Sequence, residues 1–227
     1  MNDLFHIHTY RCKHAEIIPN EEFIEKVISL GYSTIWFSDH NPFPDDKFTN
    51  RMNCNELDDY ISELQVLKRN YSDIIDIEIG LETDFLPDYK DYYHELHEKC
   101  DFLLLGQHIF KYKGMYNFDL DTKLRNKIEY EYLYDLIIQA LDTNLFQFVA
   151  HPDRIFRNKA VWDNKMQEMS VSLMNAARHS DVKLEINLCS MRQRNYFWPQ
   201  FWESVPVDMT VIGHDAHKLN DIIECPL

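Results

Sequence analysis

Leu4-Phe5-His6-Ile7-His8 is a short apolar run that closes on two histidines two residues apart, and the pattern recurs along the chain. It returns in Thr34-Ile35-Trp36-Phe37-Ser38-Asp39-His40, in Ile77-Glu78-Ile79-Gly80-Leu81-Glu82, and in Phe102 to Gly106 followed by Gln107-His108. Phe146 to Ala150 ends at His151, Val182 to Ile186 forms another run, and Val207 to Gly213 leads into His214-Asp215-Ala216-His217. Short apolar runs of this length, rich in β-branched and aromatic residues, read as buried strands. On a strand, side chains two residues apart share a face, so His6 and His8 can reach one ion.

Helical patterns separate the runs. Asn20-Glu21-Glu22 offers a cap and an acidic first turn for a helix that stops at Gly31. Further helices are expected over Asn55–Asn70, Tyr89–Lys99, Asp121–Thr143 and Val161–His179, with a shorter one starting at Pro199. Seven strands alternating with helices imply parallel pairing. The fold class is therefore α/β, and a closed or nearly closed seven-stranded β/α barrel fits best, with residues 1–227 as a single domain. Barrel active sites lie at the carboxyl ends of the strands, where these histidines and acids fall. An open doubly wound sheet would concentrate functional residues after two or three strands instead. Neither a Gly-x-Gly-x-x-Gly nor a phosphate-loop motif occurs, which removes the usual nucleotide-binding readings.

Composition narrows the function classes. With a formal charge of −15 and no basic stripe, nucleic acid is not an expected partner. A small phosphorylated substrate stays compatible, because clustered divalent cations can reverse the local field. No apolar run approaches the roughly 20 residues that span a bilayer, and the first residues lack a secretory pattern, so no membrane partner and a cytoplasmic location are expected. Five scattered cysteines without a Cys-x-x-Cys pair are expected to be reduced thiols.

Imidazole and carboxylate together are the donor set of zinc, manganese and iron. A lone histidine at a strand end is usually a surface or hydrogen-bonded residue; seven at corresponding places, with Glu82 and Asp215, point to a metal cluster. His94, His97 and His179 lack that context and read as exposed. Cys12 could ligate zinc beside His14, but reads first as a small buried thiol. The segment from Asn195 to Trp202 is unusually aromatic and suits either a wall over a substrate or packing.

The set of motifs resembles the polymerase and histidinol phosphatase (PHP) superfamily, in its histidinol-phosphatase-like branch. The residues that carry the likeness are His6-Ile7-His8-Thr9 with Cys12-Lys13-His14-Ala15, Phe37 to Pro42, Gly80 to Phe85, Gly106-Gln107-His108, His151-Pro152-Asp153, Leu184 to Asn187, and Asp215-Ala216-His217. The resemblance implies a distorted seven-stranded barrel with three divalent metal ions. His6, His8, Glu82 and Asp215 would hold one ion, and Glu82 would bridge to a second bound by His108 and His151. His14, His40 and His217 would hold the third, with Asp39, Asp153 and Glu185 behind the ligands.

The activity implied is phosphomonoester hydrolysis by metal-activated hydroxide, with L-histidinol phosphate the first substrate. Asp215 or His217 would serve the departing alkoxide. Phosphate-clamp candidates are Arg11, Lys13, Arg154, Arg192, Arg194 and Lys218, with Arg154 and Arg192 favoured. Phosphodiester or nucleotide-end cleavage at the same site, or non-catalytic metal binding, are the alternatives. Two positions depart from the branch pattern, His214 before Asp215 and Gln107 before His108, and both bear on the substrate pocket.

Overall fold

A computed structural model of the chain describes residues 3–120, 129–193 and 196–223. In chain order the elements are β1 (Asp3–Ile7), α1 (Asn20–Ser29), β2 (Thr34–His40), α2 (Leu57–Asn70), β3 (Asp76–Thr83), α3 (Lys90–Lys99) and β4 (Phe102–Leu105). They continue with β5 (Ile109–Tyr112), β6 (Met115–Phe118), α4 (Glu129–Leu141), β7 (Phe148–Val149), α5 (Asn164–His179), β8 (Lys183–Asn187) and β9 (Thr210–Ala216). The strand order β1-β2-β3-β4-β7-β8-β9 is that of a closed barrel, and β5 and β6 make a separate two-stranded sheet. Among the described residues no helix is long and apolar enough to cross a membrane.

The chain forms two compact units. The first comprises Met1–Glu82, Leu96–Leu103 and Ile212–Leu227, and the second Thr83–Glu95 and Leu104–Val211. In the first unit β2 and β3 pair in parallel without interruption from Thr34↔Asp76 to His40↔Glu82, which sets His40 directly opposite Glu82. Next to them β1 is irregular. Leu4↔Ile35 and Ile7↔Phe37 leave one extra residue in β1, while Phe5↔Gly213 and Ile7↔Ala216 leave one extra in β9. Such bulges bend a strand and re-aim a side chain. Phe5, Trp36 and Phe102 pack edge to face or tilted, with ring centroids 5.0 to 5.9 Å apart. Gly80 belongs to this cluster because a Cβ there would overlap the Phe102 ring.

In the second unit β7 pairs with β4 and β8 through only two residues on each side, Leu104↔Phe148, Leu105↔Val149, Phe148↔Lys183 and Val149↔Leu184. The run Phe146–Ala150 is thus mostly connection. The β5–β6 hairpin, unforeseen in the sequence, follows β4 and turns at Lys113 and Gly114, whose φ values are 50° and 79°. Two successive positive φ angles are what a tight hairpin turn needs, and Gly supplies the second without a steric cost.

Several helix boundaries differ from the sequence reading. Asn20 is the first helical residue of α1 rather than its cap; Pro19 precedes it, and Asn20 Nδ2 donates to Glu63 Oε1 at 2.6 Å. α5 begins at Asn164, not Val161, because the Asp163 side chain accepts from Met166 N at 2.9 Å and ends the preceding loop. β9 begins at Thr210, after a 3-10 turn over Val207–Met209. Residues 121–128 of the expected helix Asp121–Thr143, with Leu124 and Ile128, lie outside the described residues.

Two substitutions test these assignments. Gly80→Ala is expected to destabilise the protein by about 1–3 kcal/mol through overpacking against Phe102, read from denaturant unfolding. Asp163→Ala removes an N-cap and is expected to cost about 1 kcal/mol at neutral pH. The Met166 amide and Lys159 hold the Asp163 carboxyl below its ordinary value. Its contribution is therefore complete above the usual carboxylate range and is lost as pH falls through it, so wild type and variant should converge in strong acid.

Candidate metal centre

The first unit brings six of the expected ligands together, each from the carboxyl end of a strand or just beyond. His6 and His8 come from β1, His40 closes β2, Glu82 comes near the end of β3, Asp215 lies near the end of β9, and His217 follows it. His6 Nε2 and His8 Nε2 are 3.1 Å apart. Glu82 Oε2 lies 3.5 Å from His6 Nε2, 3.4 Å from His8 Nε2 and 3.0 Å from His40 Nδ1. Asp215 Oδ1 is 3.7 Å from His6 Nε2 and 3.3 Å from His8 Nε2. His6, His8, Glu82 and Asp215 are all buried.

The backbone is bent to make this possible. His6 and Asp215 have φ of 71° and 51°, the left-handed region that non-glycine residues avoid. Both fall at the register shifts of β1 and β9. Strained residues of this kind cost about 1–3 kcal/mol each and persist only where their surroundings hold them.

The fit of these side chains to a divalent cation can be judged from their own chemistry. Neutral imidazoles and carboxylates are the donors zinc, manganese and iron accept. Burial alone would raise the Asp215 carboxyl, yet His6 and His8 hold it well below its ordinary value. Burial opposes a proton on His8, but Cys12, Asp215 and Asp39 beside it raise its pKa. The pocket thus attracts positive charge. His217 behaves oppositely: burial first, then His8, lowers its pKa to about 3. It is a neutral imidazole with a lone pair to give, and its buried Nε2 has no hydrogen-bond partner. The residues fit a metal.

Behind the ligands, Asp39 accepts from Thr9 N at 2.6 Å and from Thr9 Oγ1, and its Oδ1 lies 3.6 Å from His8 Nδ1. It fixes the ring so that Nε2 faces the other donors. His14 sits on the rim of this unit, exposed, with its ring stacked on His217 at a centroid distance of 4.6 Å. Cys12 is buried beneath it, as expected of the thiol, but among imidazoles.

The second unit carries His108, three residues after β4, and His151, two after β7, with ring centroids 5.1 Å apart. Asp84 Oδ1 accepts from His108 N at 2.6 Å and Ile109 N at 2.8 Å, and Oδ2 lies 3.7 Å from His108 Nδ1. Asp84 was not singled out from the sequence, although an acid two residues past Glu82 on one strand end was a usable signal. Glu185 Oε2 accepts from His151 N and Asn187 Nδ2, each at 3.0 Å. His151 is a third strained ligand candidate, with φ 32°.

Asp153 accepts from Trp198 N at 2.7 Å and Trp202 Nε1 at 3.1 Å. Burial drives its pKa up to about 7 against those two donors. It anchors the aromatic segment, in which Phe201 is buried and Phe197 stacks on Trp202, so the described part of that segment is packing.

The clamp candidates are dispersed. Arg154 Nε lies 3.3 Å from Asp119 Oδ2, and Arg192 is exposed after a short helix over Leu188–Met191. Arg11 pairs with Glu63 at 2.7 Å, Lys13 Nζ donates to Asn53 Oδ1 at 2.8 Å, and Lys218 is exposed. Arg194 lies outside the described residues. Of the two departures from the branch pattern, Gln107 clamps Phe85 N at 2.9 Å and Ile109 O at 2.6 Å, and His214 Nε2 lies 3.1 Å from Ile223 O. His94, His97 and His179 are exposed, as the sequence indicated.

Fold and donor set together define a parallel β/α barrel with a histidine-rich candidate metal centre at its strand ends. Residues 5–188 match the family model for the PHP domain, and the chain belongs to that family. It is 28% identical over 158 residues to a probable histidinol-phosphatase of Deinococcus radiodurans, covering 65% of this chain and 59% of that relative. It is 24% identical over 255 residues to the histidinol-phosphatase of Bacillus subtilis, covering 96% of this chain and 94% of that protein. The fold matches a crystal structure of the putative histidinol phosphatase of Listeria monocytogenes with TM-score 0.76 and 17% identity, over 97% of each chain. It also matches the histidinol phosphate phosphatase of Lactococcus lactis, complexed with zinc, L-histidinol and phosphate, with TM-score 0.73 and 19% identity. That match covers 96% of this chain and 86% of the other.

Metal analysis checks the donor set. His8→Ala and Asp215→Asn are each expected to weaken metal binding by at least about tenfold, measured as metal retained against a chelator. Retention equal to wild type in both variants would remove these residues from the ligand set.

Proposed function

We propose that the protein is a metal-dependent phosphomonoesterase acting on a small phosphorylated metabolite, with L-histidinol phosphate the leading substrate. The observation that supports it most is the convergence of His6, His8, Glu82 and Asp215, four buried donors from three strands. The names of the relatives point the same way, and the ligands of the Lactococcus lactis structure are the product pair of that reaction.

In this reading three divalent ions are bound. His6, His8, Glu82 and Asp215 would hold one, Glu82 with His108 and His151 a second, and His14, His40 and His217 a third. Bound cations of this type bring a water close to neutral acidity and polarise phosphoryl oxygens. The chain's own residues do the rest. Asp215 would carry a proton from the attacking water to the departing alkoxide. His217, whose pKa is near 3, holds no proton at neutral pH and acts as a donor of its lone pair. Arg154 and Arg192 are the proposed phosphate contacts, through the paired N–H geometry guanidinium offers to phosphate oxygens. No serine or cysteine nucleophile is used.

Phosphate release from a panel of phosphomonoesters by metal-loaded protein tests the proposal. L-histidinol phosphate is expected to be the best substrate and Asp215→Asn to lower kcat by about 100-fold or more. Metal-replete protein that releases no phosphate from any member, or cleaves oligonucleotides instead, overturns it.

A further inference from the structure

Cys12 is fully buried, but its surroundings are not those of a structural thiol. Its sulfur lies 3.6 and 3.5 Å from Nδ1 and Nε2 of His14. One donor atom from each of His8, Cys12, His40 and His217 lies within 4.8 Å of the other three. The rings form a layered stack around it: His14 on His217 with centroids 4.6 Å apart, His217 on His8 at 4.0 Å, and His14 and His40 at 5.5 Å. A cysteine kept for packing alone sits among apolar groups; this one faces imidazoles.

His8 also touches the thiol, but its Nδ1 lies against Asp39 and its Nε2 faces His6, Glu82 and Asp215, so it is left to the first cation. What remains around the sulfur is His40, His217 and, from the rim, His14. His14 lies beside the sulfur with Nδ1 and Nε2 at 3.6 and 3.5 Å, so a turn of its ring at the rim would direct one nitrogen at an ion shared with Cys12.

We propose that Cys12 is a ligand of the third cation, so that His14, His40, His217 and the Cys12 thiolate form a pocket of three nitrogens and one sulfur. The inference rests on the metal-centre reading above. On binding, the sulfur lone pair goes to the cation and the thiol proton to solvent, with no change of oxidation state. A thiolate is a soft donor, and it makes this pocket favour zinc over manganese. It also supplies a negative charge that the three imidazoles lack.

The test uses full-length protein stripped with a chelator and reloaded with cobalt(II) or zinc. Cobalt-loaded wild type is expected to show a thiolate-to-cobalt charge-transfer band in the near ultraviolet, and Cys12→Ser to lose it while remaining folded by circular dichroism. Zinc affinity of the third site is expected to fall by about tenfold or more in Cys12→Ser, with manganese affinity unchanged. If the variants Cys12→Ser and Cys12→Ala do not fold, X-ray absorption of zinc-loaded wild type replaces them, with a sulfur neighbour expected at about 2.3 Å. Cobalt bound without the band, a band that survives in Cys12→Ser, or a zinc shell of nitrogen and oxygen alone overturns the thiolate ligand and leaves the metal centre standing. A wild-type protein that retains neither metal overturns both.

Discussion

The reciprocal register shift of β1 against its two neighbours is the constraint on which the centre depends. β1 carries one residue more than β2 over Leu4–Ile7, and β9 carries one more than β1 over Gly213–Ala216. The extra residues force His6 and Asp215 into the left-handed region, and each strand end there turns its side chain toward the other. With the bulges in place, His6 Nε2, His8 Nε2 and Asp215 Oδ1 lie within 3.1 to 3.7 Å. β2 and β3 do the opposite: their unbroken register places His40 and Glu82 opposite each other with no distortion.

That contrast explains the packing beneath the centre. Strained backbone is tolerated only where neighbours fix it, and the Phe5, Trp36 and Phe102 cluster supplies dense packing below the bulge. Gly80 lets the Phe102 ring approach β3 closely, and its carbonyl accepts from Tyr60 Oη at 2.9 Å. The glycine inside a buried strand is thus a packing requirement of the strands that carry the candidate ligands.

The sequence made the strands and the candidate ligand positions legible because both signals are local: an apolar run, then an imidazole or acid. His6, His8, His40, Glu82, Asp215 and His217 are found together for that reason. What stayed hidden depends on spacing across strands. Nothing in Leu4-Phe5-His6-Ile7-His8 announces a bulge, since the extra residue is defined only against β2 and β9. The run Phe146–Ala150 read as a strand because it is apolar, yet β7 itself spans only Phe148–Val149, with single hydrogen bonds from Lys183 N to Gln147 O and from Ala150 N to Leu105 O at its two ends. The hairpin at Lys113-Gly114 is carried by one glycine in a polar stretch. Cys12 looked inert because its imidazole neighbours come from three separate segments.

The carboxylates behind the histidines show how such a site is held before any cation arrives. Asp84 and Glu185 both accept from the main-chain N–H of a ligand candidate, His108 and His151, in preference to acting only on the ring. Asp39 does the same for Thr9, the residue after His8, while also lying near the ring of His8. A carboxylate that accepts a main-chain N–H fixes where the ligand leaves its strand, which matters most at His151, whose φ of 32° has no steric support of its own. The same carboxylates are buried beside the candidate ligands, where an acid in its ionised form would add to a field that draws cations. Geometry and charge therefore come from one set of side chains, and a strained backbone is kept where the donors need it.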